Sequence, residues 1–521
     1  MSRLARFLGT AVLLGMVALL PSCGGGGGGV GGGGAPPFEM AYVLEESNSN
    51  SQGQVQYFPM NPGNGSFYPD SGASPVSTGG TVPISLLADP ANNNFLYVLN
   101  NNNTAVDGTA LGSVQGFSAA GYQKTMRPVG SLTNTGPNPV SMAIDPGGHY
   151  LVVADHGNGS SSCSSSSPCG DVEVFTISSG IITLLGTVSS PNLCKNPFRV
   201  VFAPGATGSS SDTVIVACSS PEIWGQKDNP GVGVYACTIE KIQSSSCGSD
   251  LISSTNKSFG QNVALIDFAL VNFLFVPGTS IAVGPVLSGS SGSSGGYPTA
   301  YLLVCDFSTV SSESCSSRLS TIDSSSPGFL PSGNVAFSGS GSSATLYVGN
   351  YYPSVSGSSS SFTPSTSFEF YSCSPFSTST SVPCSSSPIA VKSSTPGPIF
   401  FFVTGSTLYI AATKTPINGS YTGSGTSTSA GTTSGASAPS SGTLYACPLS
   451  SLSSSASCSP QTTGGWPVSI ASDPQTGNYL FVATLSGTVN LYSGASTGNL
   501  SPQPGPGIAQ GYLPLSVLVL P

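Results

Sequence analysis

The sequence predicts an all-β fold, a single closed β-propeller of eight four-stranded blades. Three observations carry that expectation: a recurring proline-framed apolar segment, two further short apolar runs after each copy, and a half-unit at either end of the folded region. The framed segment is clearest at residues 83–90, PISLLADP, and returns with the same internal length at 139–146, 197–204, 467–474 and 514–521. Weaker copies end at Pro277, centre on residues 334–337 and begin at Pro398. They read as the first strands of their units. Runs such as FLYVL at 95–99 and LYV at 346–348 follow as second strands, and runs such as VQGF at 114–117 and VEVF at 172–175 as third strands. Gly, Pro, Asn and Ser bound these runs, which is the punctuation that short strands require.

The ends explain why the ring is expected to close. The first apolar run after the glycine-rich stretch, at residues 40–44, reads as a second strand without a first. Residues 514–521 read as a first strand without a second. Together they complete one blade, and closure removes the exposed sheet edges that template aggregation. The fifth unit is the least regular, so seven blades with one insertion is the alternative count.

The opening residues set the compartment. Arg3 and Arg6 precede the apolar residues 7–20, a run shorter than the roughly 20 residues a spanning helix needs. Residues 1–22 are therefore expected to be a signal peptide. The following Leu-Pro-Ser-Cys resembles the lipobox of bacterial lipoproteins, which implies that Cys23 carries a lipid anchor. Residues 23–37 then form a glycine-rich tether with few side chains to bury, and residues 38–521 form the propeller. An exported protein held in the cell envelope is expected, on the outer membrane where the host has one.

Charge narrows the partners. Only 6% of residues are charged and the formal net charge is −9, with 12 Lys plus Arg. Nucleic acid, which needs clustered cations, is not an expected partner. The chain is expected to be a monomer, with the membrane engaged through the lipid and an unidentified protein or carbohydrate as ligand.

Of the thirteen cysteines, setting aside Cys23 leaves twelve, an even number that in an exported chain reads as a disulfide framework. Cys237 with Cys247, Cys305 with Cys315, Cys373 with Cys384, and Cys447 with Cys458 share one local format, a cysteine closing a third strand and another about ten residues on. They read as staples across hairpins. Cys163 with Cys169 and Cys194 with Cys218 are the remaining pairs. Zinc would favour Cys-x2-Cys spacings or neighbouring histidines, which these cysteines lack.

Residues 139–175, with PVSMAIDPGGHYLVVADHGNG and then VEVFTIS, resemble the blades of the lactonase-like propellers that include YVTN-repeat proteins. LYVLN at 96–100, LYVGN at 346–350 and STGNL at 496–500 are similar to the strand and turn signatures of that group. The resemblance implies a propeller, typically of seven blades, and as an activity the hydrolysis of a small ester or sugar lactone. It transfers no catalytic residue.

A propeller's first strands line its channel, and aligning them places Ser85, Ser141, Arg199, Asn272, Asn334, Phe400, Ser469 and Ser516 at equivalent depth near the mouth. That ring holds one cation and no carboxylate, imidazole or thiol. General acid-base chemistry needs a group that titrates near neutrality, and metal-assisted hydrolysis needs convergent ligands. No catalytic residue, metal ligand or cofactor is therefore expected, and a non-catalytic binding or scaffolding role stands ahead of a lactonase-type hydrolase. Arg199 is the ring residue suited to hold a carboxylate or phosphate, with pairing to a neighbour as its alternative role. Trp466, just before Pro467, offers a stacking face for a sugar or a cap on the core. Asp89, Asp145 and Asp473 each precede a proline in the same turn and read as turn-forming residues. His149 and His156 fall on opposite faces, which argues against a shared metal.

Overall fold

A computed structural model describes residues 38–521 apart from the segments 49–51, 69–73, 103–109, 122–124, 158–168, 191, 195, 219–232, 249–250, 252–262, 265–272, 291–298, 309–314, 316–318, 324–330, 351–366, 375, 377–381, 386–388, 393–398, 414–441 and 453–456. The expected signal peptide and tether, Cys23, Cys163, Asn272 and the Ser/Gly/Thr-rich sequences at 351–366 and 414–441 lie outside the described residues.

Eight antiparallel sheets follow one another along the chain and close on themselves. Blade 1 begins with β1 (Glu39–Ser47), β2 (Gln54–Met60) and β3 (Val76–Ser77). Blade 2 holds β4 (Pro83–Ala88), β5 (Phe95–Asn100), β6 (Leu111–Ser118) and β7 (Arg127–Pro137). Blade 3 holds β8 (Pro139–Ile144), β9 (Tyr150–Gly157), β10 (Cys169–Ser178) and β11 (Ile181–Ser189). Blade 4 holds β12 (Pro197–Phe202), β13 (Thr213–Cys218) and β14 (Gly233–Thr238), followed by the short helix α1 (Ile239–Gln243). Blade 5 comprises β15 (Val263–Ala264), β16 (Leu274–Phe275), β17 (Ile281–Ser290), β18 (Thr299–Asp306) and β19 (Leu319–Asp323). Blade 6 runs through β20 (Pro331–Ser338), β21 (Thr345–Asn350), β22 (Ser367–Cys373) and β23 (Ile389–Lys392). Blade 7 runs through β24 (Ile399–Thr404), β25 (Thr407–Thr413), β26 (Gly442–Pro448) and β27 (Ser459–Thr462). Blade 8 has β28 (Pro467–Ser472), β29 (Tyr479–Thr484), β30 (Thr488–Ser493) and β31 (Ser501–Gln503), and the last strand is β32 (Tyr512–Leu520).

That last strand crosses into blade 1. It pairs antiparallel with β1, Val43 opposite Val517 and Met40 opposite Leu520, and completes the order β3-β2-β1-β32. Eight blades and the closing strand are as the sequence predicts. Two details depart from it. Blade 4 has three strands among the described residues, and α1, capped by the Thr238 side chain on Lys241 N, follows β14 with Ile239 and Ile242 buried. In blade 5, the two short strands β15 and β16 both pair with β17, where the sequence predicts one framed strand.

The proline frame has a structural cause. In β4, β8, β12 and β28 the register slips after the opening proline, at Pro83/Ser85, Pro139/Ser141, Pro197/Arg199 and Pro467/Ser469. In β32 the same slip falls between Pro514 and Ser516. Proline cannot donate to a ladder, and one extra residue beside it makes a bulge that re-aims the next side chains of the strand. At the other end of these strands Asp89, Asp145 and Asp473 hold the turn. Asp473 Oδ1 accepts from Thr476 N at 2.6 Å, and its Oδ2 accepts from Tyr479 N at 2.6 Å. Asp145 accepts from Gly147 N and His149 N at 2.8 Å, and Asp89 from Ala91 N at 2.9 Å. These are the turn roles that their position before a turn implies.

The core lies between blades. Ile84, Tyr97, Leu99 and Val114 of blade 2 pack on Leu151, Val153 and Phe175 of blade 3. The opposite face of blade 3, with Val152, Ala154, Val172 and Val174, packs on Val200, Val214 and Val216 of blade 4. Alternation along each strand thus feeds two interfaces, and the near-continuous apolar runs follow from burial on both faces. Disulfides Cys194–Cys218, Cys237–Cys247, Cys305–Cys315, Cys373–Cys384 and Cys447–Cys458 form as the spacings predict. Cys169 is also disulfide-bonded.

Candidate functional site: the axial ring and an acidic cluster

The first strands β4, β8, β12, β20, β24, β28 and β32 are neighbours in turn around most of the ring. Among the predicted ring residues, two of the four serines bond the scaffold. Ser141 Oγ accepts from Val200 N of the next blade at 3.3 Å, and Ser469 Oγ accepts from Val517 N at 3.2 Å. Both side chains are buried, as is Ser516, whose Oγ has no partner among the described residues. The repeated serine therefore acts as an inter-blade clasp at two of its positions. Ser85 is half-buried on β4. Asn334 and Phe400 lie on β20 and β24, the first strands of their blades.

Arg199 is different. It is half-buried on β12, opposite Ala217, directly after the bulge that follows Pro197. Its Nε is buried with no hydrogen-bond partner, and it joins no ion pair among the described residues. Burial lowers its pKa to about 10, so the guanidinium keeps its charge at neutral pH. A buried guanidinium Nε without a partner leaves one charge-assisted hydrogen bond unmade.

Trp466 does not present a stacking face. It is 4% exposed and packs among Val468, Tyr479 and Phe481 in the core of blades 7, 8 and 1, so of its two expected roles the core cap is the one the fold uses. His149 Nδ1 lies 3.7 Å from Asp145 Oδ2, which makes it a turn residue. Burial lowers the pKa of His156 to about 4, which keeps this imidazole neutral.

Sequence reasoning misses a cluster in blade 3. Asp155, at the end of β9, stands directly opposite Asp171 on β10, and Glu173 lies two residues further along the same face. One oxygen from each of the three carboxylates falls within 4.8 Å of the others. Asp155 is fully buried and Glu173 is 8% exposed. Gly136 of β7 closes the site from blade 2: its N–H donates to Glu173 Oε2 at 3.2 Å. A Cβ on Gly136 would meet Asp171 Oδ1 at 2.9 Å and Asp155 Cγ at 3.0 Å, so a larger residue there would press on the acids. Desolvation, reinforced by the neighbouring Asp171 and Glu173 charges, pushes Asp155 well above the usual carboxylate range. Desolvation raises Asp171 to about 6 and, together with the Asp171 charge, Glu173 to about 8. The Asp-x-Glu alternation on one strand is the visible signal, but the third acid joins it only through the strand register.

No family model matches the chain, and no curated protein matches it. Several solved structures align with most of the chain. The periplasmic gluconolactonase PpgL of Pseudomonas aeruginosa aligns with a TM-score of 0.48 at 12% identity, covering 93% of this chain and 99% of its own. Apo AztD from Citrobacter koseri aligns with a TM-score of 0.48 at 9% identity, covering 93% and 98%. A protein from Lactobacillus plantarum aligns with a TM-score of 0.42 at 14% identity, covering 93% and 100%.

Proposed function

We propose that the chain is an exported propeller lipoprotein, anchored in the envelope through Cys23, that binds a small anionic ligand or an anionic group of a larger partner at the channel through Arg199. The observation that carries this reading is Arg199 on a first strand, its Nε buried without a hydrogen-bond partner and the side chain in no ion pair among the described residues. Leaving a buried cation without a partner costs stability, and an incoming carboxylate or phosphate removes that cost. The location finds support in the five disulfides, which belong to an oxidising compartment. No helix among the described residues is long and apolar enough to cross a membrane.

The test is a thermal-shift and calorimetric screen of sugar acids, short peptides and phosphate esters against the intact protein and Arg199→Ala. Binding by an anion that weakens at least about tenfold in the variant, consistent with loss of a charge-assisted contact, supports the reading. Equal binding by both proteins contradicts it. Turnover of a sugar lactone abolished in Arg199→Ala would put the hydrolase in its place. For the anchor, incorporation of labelled palmitate lost in Cys23→Ala is the expected result.

A further inference from the structure

The strand register places the same three positions in four blades. At the end of the second strand and at two alternate residues of the third, blade 1 carries Glu45, Gln54 and Gln56. Blade 2 carries Asn100, Ser113 and Gln115, and blade 8 carries Thr484, Thr488 and Asn490. In each of these, a side-chain donor meets a side-chain acceptor. Gln54 Nε2 donates to Glu45 Oε2 at 2.5 Å. Asn100 Nδ2 donates to Ser113 Oγ at 3.4 Å and to Thr78 O at 3.2 Å. The Thr484 and Thr488 hydroxyls lie 2.8 Å apart, and Asn490 Nδ2 donates to Thr463 O at 2.6 Å.

Blade 3 fills those positions with Asp155, Asp171 and Glu173, which when ionised only accept. Both Asp155 oxygens and Asp171 Oδ1 are buried without a hydrogen bond of good geometry, their side-chain neighbours being each other and the Thr135 hydroxyl. The nearby Thr135 hydroxyl donates to Gly136 O at 3.1 Å. Among the described residues no lysine or arginine forms an ion pair, so none neutralises the cluster. Three buried carboxyls that share one hydroxyl and no counter-charge are costly, whereas each sister blade sets an amide or hydroxyl donor within its own triad.

We propose that Asp155, Asp171 and Glu173 hold a divalent cation of the calcium class, which joins β9 to β10 on the face of blade 3 that meets blade 2. The ligand set decides the class. Three carboxylates supply up to six hard oxygens, close to what calcium takes. The Asp155 side chain faces blade 2 whereas that of His156, the next residue on β9, faces the other way, so nitrogen does not join the set and thiophilic or imidazole-seeking metals are disfavoured. The cation would supply what the amides and hydroxyls supply in blades 1, 2 and 8. This proposal is independent of Arg199.

The experiment is calorimetric titration of the full chain, stripped with chelator, with calcium chloride at pH 7.5, read beside thermal melting. One site per chain and a melting rise of about 2 to 4 °C at saturating calcium are expected. Asp155→Asn should weaken binding at least about tenfold. The triple variant Asp155→Asn, Asp171→Ser, Glu173→Gln copies the set of blade 2, and should fold and ignore calcium. Should Asp155→Asn fail to fold, Glu173→Gln provides the same reading. No heat and no melting shift in the parent chain would overturn the proposal, as would a calcium response that persists in the triple variant. An Asp155→Asn protein that melts higher than the parent in saturating calcium would show shared protons in place of a cation, and would also overturn it.

Discussion

Blades 4 to 7 and blades 8 and 1 to 3 solve one packing problem in two ways. At a single register position on the third strand, blades 1, 2, 3 and 8 carry Phe58, Phe117, Phe175 and Tyr492, each opposite the start of the second strand. Blades 4 to 7 carry Cys237, Cys305, Cys373 and Cys447 there, opposite Val214, Ala282, Leu346 and Leu408. Each of those cysteines is bonded to a second cysteine 10 or 11 residues on, in the hairpin that leads away from the strand. An aromatic ring holds its blade by the large apolar area it buries. A disulfide buries less, and acts largely by restricting the unfolded chain. At this position blades 4 to 7 are thus cross-linked, whereas blades 8 and 1 to 3 rely on a packed ring, the disulfide-bonded Cys169 of blade 3 lying at the other end of β10. The polar triads, including the acidic one, belong to the packed half.

The seam where β1 meets β32 lies in the packed half, and the disulfides among the described residues do not span it. Deleting residues 512–521 is therefore expected to have the largest effect. It leaves β1 with an open edge, and proteinase K should degrade the shortened chain at least about tenfold faster, an order of magnitude set by loss of a cooperative unit. Next in size is Phe175→Ala, which removes a fully buried ring between blades 2 and 3. Chemical denaturation should show a loss of about 3 to 5 kcal/mol. Replacing both Cys447 and Cys458 by alanine should cost less, about 2 to 3 kcal/mol. Equal costs at these two places would erase the distinction between the halves.

The smallest effect concerns pH. Desolvation raises Glu45, buried in blade 1, to about 7 against an ordinary value of 4.5, opposed by the Gln54 hydrogen bond. A raised carboxyl means the folded state holds its proton more tightly than the unfolded one. Its contribution is complete below about pH 4.5 and is lost as pH rises toward 7. Glu45→Gln should flatten the melting temperature across that window and raise it at pH 8. A variant that melts lower at pH 8 would contradict the assignment.

Much of this architecture is legible in the sequence because it is local and repeated. The proline two residues before Ser85, Ser141, Arg199 and Ser469 marks a bulge, and cysteines ten or eleven apart mark a hairpin. The site is less legible because it depends on which face a residue takes once neighbouring blades meet. Ser141 and Ser469 read as channel hydroxyls, yet they bond the next blade's backbone. Trp466 reads equally as a stacking face or a core cap, and only the blade interface that covers it decides for the cap. Asp155 is sixteen positions before Asp171, and only strand pairing sets them opposite each other. Blade 4 continues after β14 into α1, where Thr238 caps the helix start with its side chain, a local signal outweighed in the sequence by the regularity of its neighbours.

Ring closure is the claim on which the channel and the proposed role of Arg199 stand, and hydrogen exchange of the intact chain measures it most directly. Amides of Tyr512–Leu520 that face β1 should exchange as slowly as those of the middle strands β5 and β9. Exchange of that segment at the rate of an unpaired tail, while β5 and β9 stay protected, would contradict it.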